Sequence, residues 1–223
     1  MKRKWLMFAT VLIVMLWMFG ICVSAESELP EICPHCKVPV QWQPISEPAS
    51  NNTISEGHYY LDCAGDSMSG KAWYTEGKVC LHLNGKTVNA TNRAFYINAG
   101  SELNLMGEGS VIGNAYATGS TAGGGVVYIK GTLNLYGPTI TTTGKSGRTA
   151  KSGGVAYLTG GTLNMYSGAI TGGHATNGGT LYLLGSSTAN IHGGTLTGGT
   201  ATSTGGAVYL KSSTLNLYGG SVA

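Results

Sequence analysis

Four of the five cysteines lie between residues 33 and 80 and are the most chemically versatile residues of the chain, and the fifth, Cys22, lies in the apolar N-terminal stretch. Two of them form the segment Cys33-Pro34-His35-Cys36, and Cys63 and Cys80 follow. A C-x2-C spacing supports thiol redox chemistry when it begins a helix, because the helix N-terminus lowers the thiol pKa. Pro39 and Pro44 follow the motif and oppose a helix there. The sequence therefore favours a structural role for these cysteines over redox catalysis.

Two structural roles remain open for the four cysteines. In an exported chain, four cysteines usually form two disulfides, with three conceivable pairings. They could instead bind a structural zinc ion, since C-x2-C is a common zinc half-site. Cys63 and Cys80 do not form a second half-site, so His35 or His58 could replace one thiolate. The sequence slightly favours disulfides and so predicts no cofactor, with a structural zinc ion at the cysteines as the alternative.

The distribution of carboxylates argues against catalysis. All ten acidic residues precede Gly109, and none lies between Gly109 and Ala223. Glycoside hydrolysis generally uses two carboxylates, a calcium site needs several, and a Ser-His-Asp triad needs one. Three basic residues lie in one Gly/Ser/Thr-rich segment that we interpret as a solvated loop: Lys145, Arg148 and Lys151. His174 and His192 are interpreted as surface residues, so the sequence predicts a protein with no catalytic residue.

Composition restricts the elements that could position these residues. The chain has 223 residues, of which 36 are glycine and 10% are charged. Such a glycine content excludes a helical bundle, whereas aromatic residues at regular intervals indicate short strands joined by tight turns. We therefore expect an all-β protein.

Three strand-sized segments recur along the chain. The most regular is an aliphatic-Asn-aliphatic tripeptide, with copies centred on Asn104, Asn134, Asn164, Asn190 and Asn216. A tripeptide with a central tyrosine precedes each copy, centred on Tyr96, Tyr128, Tyr157, Tyr182 and Tyr209. An aliphatic segment follows each copy, and its first example follows Leu81-His82-Leu83, a first copy with His82 in place of asparagine. These segments are centred on Val88, Val111, Ile140, Ile170, Leu196 and Val222. No stretch with helical periodicity interrupts this pattern.

Alternation along each segment predicts how the repeats pack. Side chains on a strand alternate between faces, so the aliphatic residues point one way while Asn and Tyr point the other. Stacking each segment on its equivalent in the next repeat buries a continuous aliphatic column. The sequence thus predicts a parallel β-helix with three short strands per coil and five to six coils.

At this level of detail the chain resembles a known family. The resemblance lies in the segment Cys33 to Cys36 followed by Trp42, in the stretches 57–61 and 79–88, and in the Gly-Gly and Leu-Asn-Leu-Tyr coils. They resemble the pectin-lyase-like right-handed parallel β-helices, in particular secreted or surface repeat proteins of Gram-positive gut-type bacteria with an N-terminal cysteine-containing cap. The resemblance implies a right-handed solenoid. Enzymes of that family act on acidic polysaccharides through clustered Asp residues, which this chain does not have, and fold alone does not supply function.

The chain divides into three predicted parts. Residues 1–25 have a basic start, an apolar stretch and small residues before Glu26, which is typical of a secretory signal peptide. Residues 26–78 are expected to form a small cap with the CPHC motif, and residues 79–223 the repeats. The mature protein is expected to be secreted or on the cell surface, outside the membrane. Ala223 falls within a strand of a coil, which predicts a repeat array truncated at its C-terminus or an edge open to self-association.

The outward-facing columns of tyrosine and asparagine side chains suggest what the surface could bind. Amphipathic tyrosines next to amides can stack on and hydrogen-bond to sugars. We therefore expect a non-catalytic, adhesin-like module that binds extracellular glycans on a host or cell wall. The candidate glycan-binding residues are Tyr96, Tyr128, Tyr157, Tyr182, Tyr209, Asn134, Asn164 and Asn190. The alternatives are a fragment of a polysaccharide lyase or glycoside hydrolase with its active coils elsewhere, and a purely structural, self-associating repeat. Scattered basic residues give no support to nucleic-acid binding.

Overall fold

Strands account for all of the regular structure described. The computed structural model describes residues 29–47, 52–65, 67–70, 72–114, 123–143 and 150–223. This part of the chain contains 23 strands in three sheets. Within it, no helix has the length and apolar character needed to cross a membrane. The predicted signal segment 1–25 lies outside the described residues.

One sheet, which we call the tyrosine sheet, holds the tyrosine-centred segments. Its seven strands all pair in parallel with their equivalents in neighbouring coils. They are β2 (Thr53–Ile54), β5 (Trp73–Thr75), β8 (Phe95–Ile97), β11 (Val127–Ile129), β14 (Ala156–Thr159), β17 (Leu181–Leu184) and β21 (Val208–Lys211).

A 13-stranded sheet, the long sheet, has two arms. Its asparagine arm contains β1 (Gln43–Ile45), β3 (Gly57–Leu61), β6 (Lys78–His82), β9 (Glu102–Met106), β18 (Thr188–Ile191) and β22 (Thr214–Leu217). Its second arm contains β4 (Ser67–Gly70), β7 (Thr87–Ala90), β10 (Ser110–Gly113), β19 (Thr195–Thr197) and β23 (Ser221–Val222). Two long strands, β12 (Thr132–Thr142) and β15 (Thr162–Thr171), run through both arms.

The register places each residue beside its repeat equivalent. Tyr128 pairs with Tyr157 in the tyrosine sheet, and Asn134 pairs with Asn164 in the long sheet. In the second arm, Ile140 pairs with Ile170. The predicted all-β fold is therefore confirmed as a parallel β-solenoid of about six coils.

Two details of the coils differ from the three-segment pattern. In two coils the second and third segments merge into β12 and β15, with a register irregularity around Tyr136. A third sheet, absent from the sequence prediction, forms from β13 (Ala150–Ser152), β16 (His174–Asn177) and β20 (Thr200–Thr204). Its strands are polar and carry few aliphatic residues, so hydrophobic periodicity did not identify them.

The aliphatic residues between the polar ones form the core. On β12, Leu133 and Leu135 are fully buried while Asn134 between them points to the opposite face. The same alternation buries Val127 and Ile129 on β11. The columns of equivalent residues form one continuous hydrophobic cluster running through the coils, as expected when no repeat can bury its apolar face alone.

Parallel pairing extends into the segment that the sequence assigned to the cap. Strands β2 to β5 lie between residues 53 and 75 and pair with β5, β6, β7 and β8 of the following coils. Residues 29–42, the N-terminal segment, lie outside the strands and contain one antiparallel bridge between Ile32 and Pro39. The cysteine cluster lies where this segment meets the solenoid.

Candidate functional site

The asparagine column is a chain of side-chain amides on the outward face of the long sheet. Each amide donates to the amide of the preceding coil over 2.7–2.8 Å, from Asn216 through Asn190, Asn164 and Asn134 to Asn104. The Nδ2 of Asn104 ends the chain by donating to the carbonyl oxygen of Val79. The amides therefore satisfy one another, which stabilises the register of the coils as well as lining the surface.

Interrupting this amide chain near its buried end is expected to lower the free energy of unfolding. Asn134 is only 5% exposed, and its replacement by leucine leaves Asn104 Oδ1 without the donor it now has. We expect Asn134→Leu to lower the free energy of unfolding by about 2 kcal/mol, the usual cost of an unsatisfied buried polar group. Urea denaturation followed by circular dichroism would measure it. Asn216→Leu is the matched control, because Asn216 is half-exposed and water can replace its bond. Equal losses in the two variants would show that the amide chain contributes no specific stability.

The tyrosine column forms a stacked ladder on the tyrosine sheet. Its rings have centroids 4.6–5.3 Å apart, in the order Tyr74, Tyr96, Tyr128, Tyr157, Tyr182 and Tyr209. Burial is the main cause that raises the pKa of the Tyr128, Tyr157 and Tyr182 hydroxyls, and neighbouring tyrosines add to it. Because each ring stacks on the next, the faces of the inner rings are occupied and only their edges are free.

Arg93 partly covers this ladder. Its guanidinium carbon lies 4.8 Å from the centroid of the Tyr128 ring, in a cation–π arrangement. Its Nε and Nη2 atoms donate to the carbonyl oxygens of Gly124 and Gly123. Arg93 is itself buried. The Tyr128 part of the ladder is therefore integrated into the body of the protein.

The predicted tyrosine and asparagine columns lie on different sheets. A short turn at Lys130 and Gly131 separates Tyr128 on β11 from Asn134 on β12. The residues next to the asparagine column belong instead to a second aromatic ladder, two positions further along each strand: Tyr136, Tyr166, His192 and Tyr218. His192 occupies the position at which other repeats have Tyr136, Tyr166 and Tyr218, but from the sequence it was interpreted only as a surface residue and this column was not selected as a binding surface. The tyrosine at the fourth position of the Leu-Asn-Leu-Tyr repeat is the sequence signal that identifies this second ladder.

The second ladder is regular and more open to solvent. Its ring centroids are 4.7–4.9 Å apart and the ring planes differ by 3–11°. Tyr166 is 42% exposed and Tyr218 is 67% exposed. Towards the N-terminal segment the ladder is more enclosed, and burial raises the pKa of Tyr136 to about 12. On the other side of the amides, the register aligns a column of threonines: Thr132, Thr162, Thr188 and Thr214.

The long sheet therefore displays a repeated Thr-x-Asn-x-Tyr surface. In four successive coils the hydroxyl, amide and aromatic groups occupy alternate positions along the chain and share the outward face, with His192 in place of a tyrosine in one of them. The pattern recurs at the strand spacing of about 4.8 Å. We call this surface the Thr-Asn-Tyr face.

The cysteine cluster contains three of the four predicted cysteines and one histidine. The Sγ atom of Cys80 lies 3.7 Å from those of both Cys33 and Cys36. The Nε2 atom of His58 lies 3.5 Å from Cys36 Sγ. All four donor atoms lie within 4.8 Å of one another, and they are the only such group of metal-binding side chains in the described part of the chain.

The expected disulfides are not present among the described cysteines. A disulfide requires an S–S distance of about 2.05 Å, and Cys33, Cys36, Cys63 and Cys80 are all free thiols. Cys63 lies outside the cluster, where its Sγ is 4.0 Å from the carbonyl oxygen of Gly65. The strand register explains this arrangement, because it places His58 beside Cys80 on adjacent strands and leaves Cys63 beyond the end of β3.

His35 makes contacts that differ from those of the two cysteines that flank it. Its Nε2 lies 2.7 Å from Glu102 Oε1, and its Nδ1 lies 3.0 Å from the Tyr136 hydroxyl. Of the two histidines considered as ligands, the structure brings His58 to the cysteines. His35 instead ties the N-terminal segment to the start of the Thr-Asn-Tyr face.

The residues considered for catalysis do not converge on a described site. Lys145 and Arg148 lie outside the described residues, and Lys151 is exposed on β13. His174 is exposed and hydrogen-bonds with Thr200, while His192 stacks within the second ladder. In comparisons with known proteins, no family model, curated protein or solved structure matches this chain.

Proposed function

We propose that this chain is a secreted or cell-surface β-solenoid module that binds extracellular glycans without catalysis, in the manner of an adhesin. The Thr-Asn-Tyr face is the observation that carries the proposal. It repeats the hydroxyl, amide and aromatic groups that sugars bind in four successive coils. A linear glycan lying along the solenoid axis meets equivalent groups on successive coils.

Solvent exposure favours the Thr-Asn-Tyr face over the tyrosine sheet as the binding surface. Tyr166, His192 and Tyr218 are exposed, whereas the tyrosines from Tyr96 to Tyr209 are half-buried or buried. The exposed ladder also adjoins the asparagine column, so ring edges and amides can contact one ligand. Asn164 and Asn190 are half-buried, and each uses one hydrogen and one oxygen lone pair within the column, which leaves capacity for a ligand. Asn134 is buried, and its Nδ2 donates to both Asn104 and Glu102.

The absence of acidic residues after Glu108 supports a binding role over hydrolysis. The resemblance to pectin-lyase-like β-helices supports one alternative function, in which the chain is part of a polysaccharide-degrading enzyme with its catalytic coils elsewhere. The continuous stacking of both ladders favours a second alternative, a structural repeat in which the aromatic rings stabilise the coils and bind nothing.

A glycan array with two matched variants tests the proposal. One variant removes rings from the exposed ladder through Tyr166→Ser, His192→Ser and Tyr218→Ser. The other removes three rings from the tyrosine sheet through Tyr96→Ser, Tyr157→Ser and Tyr209→Ser. The array carries host, plant cell-wall and bacterial cell-wall glycans, and circular dichroism confirms that both variants fold.

We expect the parent chain to bind a defined set of glycans. Aromatic contacts contribute about 0.5–1.5 kcal/mol each, so losing three should weaken binding at least about 10-fold in the exposed-ladder variant. The tyrosine-sheet variant should stay within about 3-fold of the parent. Loss of binding in the tyrosine-sheet variant alone would move the site to that sheet. No binding by the parent chain would favour the structural repeat.

A further inference from the structure

Three distances within the cysteine cluster match those of a tetrahedral metal site, and all four donor atoms lie within 4.8 Å of one another. Zinc–sulfur bonds of about 2.3 Å and zinc–nitrogen bonds of about 2.0 Å place tetrahedral sulfur atoms about 3.8 Å apart, and sulfur and nitrogen about 3.5 Å apart. The observed separations are 3.7 Å for both measured sulfur pairs and 3.5 Å between Cys36 Sγ and His58 Nε2. These sulfurs are too far apart for a disulfide and are correctly spaced for one shared ion.

The backbone around the C-x2-C motif is shaped to direct both thiols to one point. The amide of Lys37 donates to the carbonyl oxygen of Cys33 over 2.9 Å, which closes a tight turn. Lys37 has a φ of 61°, so the chain reverses at this residue. The amide of Cys36 also points at Cys33 Sγ, 3.4 Å away. This contact and the turn fix the position of Cys33 Sγ relative to Cys36.

The solenoid supplies the other two ligands from neighbouring coils. His58 lies on β3 and Cys80 on β6, and the parallel register pairs them directly on the outward face. Strand spacing therefore sets the separation of their side chains. The Trp42 ring packs edge-on against the His58 ring with centroids 5.7 Å apart and helps to orient the imidazole.

The site is closed, as structural zinc sites are. Cys33 and Cys80 are fully buried, and Met106, Val40 and Trp42 belong to the same packed cluster. Four protein donors complete a tetrahedral coordination shell and leave no position open for a substrate.

We propose that Cys33, Cys36, His58 and Cys80 bind one zinc ion through three thiolates and the Nε2 of the imidazole. Binding releases the protons of those thiols that are protonated in the free protein and involves no oxidation or reduction. The ion fastens the N-terminal segment to β3 and β6 across two coils. Cys63 and His35 take no part, although both lie near the ligands in sequence.

The proposal is tested by measuring metal content and coordination in the purified mature chain. After expression with zinc and dialysis against metal-free buffer, elemental analysis should find about one zinc per chain. Replacing zinc with cobalt(II) should give the intense visible absorption of a tetrahedral site with thiolate ligands. Cys63→Ser and His35→Ala are matched controls that should keep one zinc per chain.

Ligand variants separate metal binding from folding. His58→Ala should weaken zinc binding at least about 100-fold, given that losing even an outer-shell partner costs 10–100-fold. His58→Cys keeps four donors, so it should retain zinc and shift the cobalt spectrum towards four thiolates. Less than about 0.1 zinc per chain in the parent protein, with disulfides among Cys33, Cys36 and Cys80 found by mass spectrometry, would overturn the proposal. Loss of zinc in Cys63→Ser would overturn the assigned ligand set.

Discussion

Truncating Leu135 to alanine is expected to destabilise the solenoid by about 3 kcal/mol, within the range measured for buried leucines. Leu135 is fully buried on β12, and its register neighbours Leu105 and Met165 are fully buried as well. The two backbones flanking this position are held by strand hydrogen bonds, so the coil cannot collapse into the space that the side chain leaves. For a chain of this size, we expect a thermal midpoint lower by about 6–12 °C.

The same column provides a matched control for Leu135. Leu217 occupies the equivalent position on β22 and is 56% exposed. Leu217→Ala removes the same atoms from a position that is already in contact with water, so it should cost less than about 0.5 kcal/mol. Thermal melts followed by circular dichroism compare the two variants at equal metal content. Similar midpoints for both would show that the inner column does not support the stability of the coils.

The second large effect is expected from Gly179→Ala. A Cβ atom at this position would lie 2.2 Å from the carbonyl oxygen of Gly206 and 2.3 Å from the amide nitrogen of Thr200. Both are backbone atoms of the next coil, and they cannot rotate away as a side chain could. The coils must separate locally and weaken the bond from the Gly179 amide to Gly206, now 2.8 Å long. We expect a loss of about 3 kcal/mol, at the upper end of ordinary overpacking costs.

Gly206 provides a matched control that relates this prediction to the close contact between coils. It is the second glycine of the same Gly-Gly turn one coil later, and a Cβ there would meet no atom within 4 Å. Gly206→Ala should therefore change stability by less than about 0.5 kcal/mol in this 223-residue chain, or increase it slightly by restricting the unfolded state. Urea denaturation of both variants measures the difference. If Gly206→Ala were as destabilising as Gly179→Ala, chain flexibility rather than close approach would explain the glycine pair.

Much of the fold was predictable because the repeat is visible in the sequence. The asparagine, tyrosine and aliphatic segments pair in the structure with their own copies, as Asn134 does with Asn164. Local alternation and regular spacing were sufficient for this, since each coil repeats the same interactions with its neighbours. The polar strands β13, β16 and β20 were missed because they have no apolar period to detect.

The candidate sites were harder to predict because they depend on distances between strands. The sequence showed two outward columns, but not that a turn at Lys130 and Gly131 places them on separate sheets. It also showed four candidate cysteines, two of them in a C-x2-C half-site, but not which of the others meets that half-site. Only the register between β3 and β6 selects His58 as the neighbour of Cys80 and leaves Cys63 outside the cluster.

The sequence alone was thus sufficient to predict the solenoid and the inward and outward residues of its three segments, and it shows directly that the second half has no carboxylates. These properties follow from local alternation and composition, which need no knowledge of how distant segments meet. The tertiary structure decided which outward columns share a face and which side chains converge on one point. That information depends on turn geometry and on the folding of residues 29–42 against the coils, where groups far apart in sequence come within bonding distance.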